Sequence, residues 1–291
     1  MALLTCYPGM NKKEPIKKKP LPQDVWIQLA LNDIKSSRIL YEKGEYRNAY
    51  FLFQQASEKA NKAMWLISGF VTAEELFNLK HDQFKVFRTA IIKQLENVKE
   101  IQTILSHYPQ AENKAIFENS KLALYKKNLA ATQSFFDGAK QLDLVNIPTS
   151  ELTQLHRKLL SLEKIKLKIP VEADRKVKKN WLDLADWIGN FNTPEAIEAK
   201  HQILEYISDP ANAKDIVEQI IHSAFIVVEM ASIEYTLFAC AVLTIQHSSI
   251  SRYPDEKFNP IELYNLRLPL VKKMPLFVNS LEKAILKLST I

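Results

Sequence analysis

From Asp24 onward, apolar residues recur every three to four positions along nearly the whole chain, the period of helices packed on one side. Trp26, Leu29, Ala30, Ile34, Ser37 and Tyr41 trace a first helix over Asp24 to Lys43, with Gly44 as its C-terminal stop. Tyr46, Ala49, Phe53, Ala56, Ala60 and Ala63 trace a second, from Glu45 to about Ser68, which Gly69 ends. Its face of small residues lets a neighbour approach closely, and the short connection predicts an antiparallel hairpin. Thr72 and Glu75 form a capping box for a third helix running through His81, Phe84 and Ile91 towards Ile104, where HYPQ interrupts the pattern. No run of β period has useful length, so the fold class is all-α.

The region beyond carries its own start signals. Thr149 or Ser150 can cap ELTQLHRKLLSLEKIKL. Thr193-Pro194 and Asp209-Pro210 place a capping side chain before a proline at the first helical position, and Asn259-Pro260 repeats the device for the last helix. The stretch Ala224 to Ile245 is long enough to cross a bilayer. Glu229 and Glu234 lie on different sides of it, and exposing either to lipid costs several kcal/mol. A central core helix, apolar almost all round, is therefore expected, with no membrane partner. Glu229, Ser232, Thr236, Cys240, Thr244 and His247 form one polar stripe on it, facing a partner helix, a groove or a dimer seam.

Composition adds detail. Glycine is scarce, at five residues in 291, which favours helix over tight turns. The net charge of +6 suits an acidic or nucleic-acid partner as well as a solvated lysine-rich surface. Residues 1–21, with MNKKEPIKKKPLP, read as a disordered basic tail. A basic cluster runs from Arg157 to Lys179, with Trp181 and Trp187 just beyond; it can hold a phosphate backbone or be a solvated face. Cys6 and Cys240 are poor disulfide partners, so a reducing, cytoplasmic location is expected. No metal-ligand cluster, CxxC, HExxH or GxSxG occurs, and neither cofactor nor metal is expected.

One pattern is more specific. LNDIKSSRILYEKGEYRNAYFLFQQASEKANKAMWLISGF resembles the HEPN family of helical domains (higher eukaryote and prokaryote nucleotide-binding). The matching positions are Asp33, Gly44, Tyr46, Ala49, Gln54, Gln55, Ala56, Glu58, Lys59, Lys62 and Ala63, then His81 in the third helix and Arg252 to Asp255 after the fourth. The resemblance implies an up-and-down bundle from residues 22–95 plus 212–291, with residues 96–211 as a helical insertion. It further implies a nucleotide- or RNA-binding module acting as a homodimer in a prokaryotic defence or toxin–antitoxin setting, with a nucleotidyltransferase-type antitoxin as partner. Arg252, Tyr253, Lys59, Lys62 and His81, with Glu229 at the head of the stripe, are the binding positions it suggests.

Many HEPN proteins are metal-independent ribonucleases marked by an Arg followed, after four to six residues, by a His. None of the six histidines here has an Arg at that spacing. HSSISRYPDEKFNP holds the reverse order, His247 before Arg252. As a catalytic pair, His247 would take the 2′-OH proton and Arg252 would hold the phosphate. As structure, Arg252 would fold back on the last carbonyls of the helix, with Pro254 preventing continuation. A non-catalytic dimerisation module is the third reading.

Overall fold

The computed structural model describes residues 22–79, 83–106, 119–138, 143–165, 172–254 and 259–291. Among them there are helices and no strand. In chain order these are α1 (Pro22–Glu42), α2 (Tyr46–Ile67), α3 (Ala73–Leu79), α4 (Gln83–Ser106), α5 (Asn119–Gly138) and α6 (Thr149–Glu163). They continue with α7 (Ala173–Gly189), α8 (Pro194–Ser208), α9 (Pro210–Thr244), α10 (His247–Ile250), α11 (Pro260–Leu263) and α12 (Pro269–Leu288). The N-terminal tail lies outside the described residues.

The α1–α2 hairpin forms as its spacing requires. Gly44 has φ +80° and Gly69 φ +71°, left-handed conformations that a Cβ would disfavour, and each follows the helix it ends. Ser37 Oγ donates to the Ala49 carbonyl at 2.8 Å, a backbone approach that the alanine face of α2 permits. Local caps also form: Thr72 and Glu75 exchange both hydrogen bonds of the box at 3.2 and 2.8 Å. Thr193, Asp209 and Asn259 accept from Ala196, Ala211 and Ile261 N–H groups respectively.

Three expectations need correction. The third helix is two elements, α3 and α4, either side of residues 80–82. Neither Thr149 nor Ser150 caps α6; both are inside it, and Pro148 holds the N-cap position without a side-chain bond. The Asn259-Pro260 cap opens only the single turn of α11, while the last helix starts at Pro269.

Helices α1, α2, α12 and the C-terminal half of α9 enclose the larger core. Tyr50, Phe53, Leu237, Leu243, Phe277 and Leu281 meet there, each no more than 1% exposed. Leu152 and Leu159 of α6 complete it against α12 and α9. Chain segments nearly two hundred positions apart thus share one interior: Tyr50 Oη donates to the Leu243 carbonyl at 2.8 Å. A second core lies on the other side of α2 and α9. There Trp65 meets Phe87 of α4 edge-to-face, and Phe87 and Phe135 of α5 both meet Phe238.

The central rod is α2 rather than α9. Helix α2 is buried on nearly every side from Ala49 to Trp65. Helix α9 is buried mainly from Ile233 onward, while Ile220, Phe225, Ile226 and Val227 stand in the open. An apolar pattern all round a helix signals neighbours on every side only if those neighbours exist, and among the described residues the N-terminal half of α9 has α7 and α8 to one side, burying Ile216 and Val217, and is open elsewhere. Helix α9 is long and apolar enough to cross a bilayer, and 39% of an apolar 18-residue window of it is buried within the fold.

Candidate functional site

Because α2 is surrounded, its motif residues face the interior. Gln54, Ser57, Glu58, Asn61 and Lys62 are all buried. Burial of that many polar groups is tolerable only if they satisfy one another. Glu58 and Lys62, one helical turn apart, form an ion pair at 2.8 Å. The Lys62 ammonium also lies 4.8 Å from the centre of the Trp26 ring on α1. Asn61 Nδ2 donates to the Ser57 carbonyl at 2.8 Å and reaches the Leu237 carbonyl of α9 at 3.3 Å. Lys59 pairs with Asp33 of α1. The charged residues of the motif therefore tie α2 to α1, the Asn61 amide ties it to α9, and Lys62, at 5% exposure, presents no surface to a ligand.

The polar stripe of α9 is likewise spent within the fold. Thr236 and Thr244 hydroxyls donate to carbonyls four residues back, at 3.0 and 2.8 Å. Burial pushes the Cys240 thiol up to about 12, so it stays protonated and unreactive. Glu229, at the outer end, lies 3.6 Å from Lys287 near the end of α12.

His247 ends the stripe and is wholly buried. Its Nδ1 and the Tyr264 hydroxyl share a hydrogen bond of 2.5 Å, and its ring packs on Tyr50 at 4.6 Å between centroids. Gln246 next to it accepts from the Leu144 N–H at 2.9 Å, drawing residues 143–148 over the helix end. Burial holds the imidazole down at about 4, against a smaller opposing effect of the Leu144 backbone. A general base must reach the proton that it removes. His247 is sealed from solvent, so it has no open face to offer a ribose hydroxyl.

Arg252 is placed differently. Its Nε donates to the Ser248 carbonyl at 2.7 Å, the fold-back that closes the α10 end. Its guanidinium carbon stands 5.7 Å from the Phe51 ring of α2 and 5.5 Å from that of Tyr253. Arg252 is exposed and Tyr253 is 63% exposed. Arg47, one turn before Phe51, lies at the same end of α2 and contacts Asn48 at 2.9 Å. The chain thus brings Arg252, Tyr253 and Phe51 together at one end of the bundle. Glu229 and Lys62 are held elsewhere by their own partners, and His81 lies outside the described residues. Phe51 carried no signal in the sequence, because an aromatic at helical spacing reads as core.

The basic cluster does not act as a unit. Arg157, Lys158 and Lys164 belong to or follow α6, which packs on α12, whereas Arg175 and Lys178 are on α7, which packs on α8 and α9. Lys166 and Lys168 lie outside the described residues. Trp187 meets Phe191 edge-to-face at 5.0 Å.

The HEPN domain family model matches residues 23–121, about a third of the chain. The match takes in α1 to α4 and reaches the start of α5. No curated protein and no solved structure matches the chain. HEPN domains are in general nucleotide- or RNA-related modules. The α1–α2 hairpin that carries the motif lies within this match, so over residues 23–121 the chain is similar to HEPN domains.

Proposed function

We propose that this protein binds single-stranded RNA at the bundle end formed by Arg252, Tyr253 and Phe51, and does so without using His247 as a base. The exposed guanidinium set against two rings carries the reading. Arginine holds phosphate oxygens through its planar fork, and an exposed ring offers a face to an unstacked base. Arg47 adds a second positive charge at the same end. The sealed His247 is the reason for separating binding from cleavage. A cytoplasmic defence or toxin–antitoxin role, with a nucleotidyltransferase-type partner, fits an RNA-binding HEPN module and rests on the family alone. Anisotropy of a labelled oligoribonucleotide tests the proposal: Arg252→Ala is expected to weaken binding about tenfold, in the range typical of losing one stacked, charged contact. Equal affinity in the variant would sink it.

A second reading, self-association into a homodimer, is favoured by Ile220, Phe225, Ile226 and Val227, which α9 leaves exposed. Ile220 and Val227, seven residues apart, share one face of α9, and an exposed apolar face of this kind can mark an interaction site. The two readings are compatible, because Arg252 lies beyond the opposite end of α9.

A further inference from the structure

Away from the bundle end, and outside the stretch matched by the HEPN family, α7, α8 and α9 enclose a cleft of about 520 Å³. Arg175, Lys178 and Trp181 are spaced three apart on α7 and share one face of it. Lys214, in the first turns of α9, stands across from them. Ile207 and Ile216, 3% and 8% exposed, are among the apolar walls. Among the residues whose side chains are described, those lining the cleft include no carboxylate.

That combination selects a ligand chemistry. Three cations bordering one cleft favour a multiply charged anion over a single carboxylate. Arg175 and Lys214 pair with exposed carboxylates close by in sequence, Glu172 at 3.0 Å and Glu218 at 3.8 Å, and such pairs are weak enough to be exchanged for a phosphate. The half-buried indole and apolar walls suit a flat, weakly polar ring system, and the volume is that of a small-molecule site. We propose that this cleft binds a nucleoside di- or triphosphate, with the base against Trp181 and the phosphates between Arg175, Lys178 and Lys214. Ile207, Ile216 and Val217 offer no side-chain hydrogen bond to a base edge, so the site does not discriminate adenine from guanine.

Calorimetric titration of the full chain with ATP, GTP, adenosine, tripolyphosphate and palmitate tests this. ATP and GTP are expected to bind within about threefold of each other, and adenosine and tripolyphosphate each about tenfold more weakly or less. Lys178→Glu is expected to weaken ATP about tenfold with an unchanged melting temperature, and Trp181→Phe to retain more affinity than Trp181→Ala. Arg252→Ala, which the RNA-binding reading requires to matter, leaves ATP binding unchanged, so the two sites fail or stand separately. Absence of binding by both nucleotides, ATP binding indifferent to Lys178→Glu, or binding of palmitate in their place overturns the proposal.

Discussion

The His247 imidazole and the Tyr264 hydroxyl meet at 2.5 Å inside the bundle, beneath the segment that Gln246 holds through Leu144. Burial also pushes the Tyr264 phenol up, so the pair is neutral under ordinary conditions. It joins the end of α9 to the approach to α12. This is a packing joint made of groups that elsewhere serve as acid and base.

A pH dependence follows from the joint. As pH falls below 6.5, the unfolded chain takes up a proton on His247 that the folded chain refuses until about pH 4. Stability therefore falls as pH falls through that window, by up to about 3 kcal/mol from this residue. Denaturant melts of wild type and His247→Gln between these pH values check it. The wild type should lose more stability than the variant, since the carboxylate contributions are common to both; parallel curves would exclude the burial described.

The Glu58–Lys62 pair gives a second expectation. Removing one charge strands the other in the core, at a cost of about 3–5 kcal/mol. Glu58→Gln and Lys62→Met should each lower the melting temperature strongly, and the double variant should recover much of the loss. Additive losses in the cycle would show that the two charges do not depend on each other.

Much of this was legible along the chain, because the signals are local. Gly44 and Gly69 stop α1 and α2 through their own φ angles, and Thr72, Thr193, Asp209 and Asn259 cap through bonds to N–H groups two or three residues away. What depends on long-range neighbours was not. The pattern of α9 reports that it is apolar but not that Phe225 to Val227 are left uncovered. Nothing near His247 foretells Tyr264 packing upon it, and nothing near Phe51 foretells Arg252. The basic run from Arg157 to Lys179 reads as one patch only until α6 and α7 pack on different helices.

The uncovered half of α9 carries its own prediction. A charge at Val227, 66% exposed, should leave the fold intact, because a surface substitution of this kind changes stability by about 0.5 kcal/mol or less. It should reduce any concentration-dependent self-association. Light scattering of wild type and Val227→Glu over a range of concentrations measures this. Equal association in both would move the contact elsewhere.

Arg252 stands open at the bundle end while His247 is sealed inside it. The direct test is to titrate one labelled single-stranded oligoribonucleotide, without metal, with wild type, Arg252→Ala and His247→Gln at neutral pH and two salt concentrations, reading anisotropy and product length together. The predicted result is salt-sensitive binding, lost on Arg252→Ala and kept on His247→Gln, with any cleavage the same in wild type and His247→Gln. Cleavage by the wild type that disappears in His247→Gln while binding persists would contradict the account.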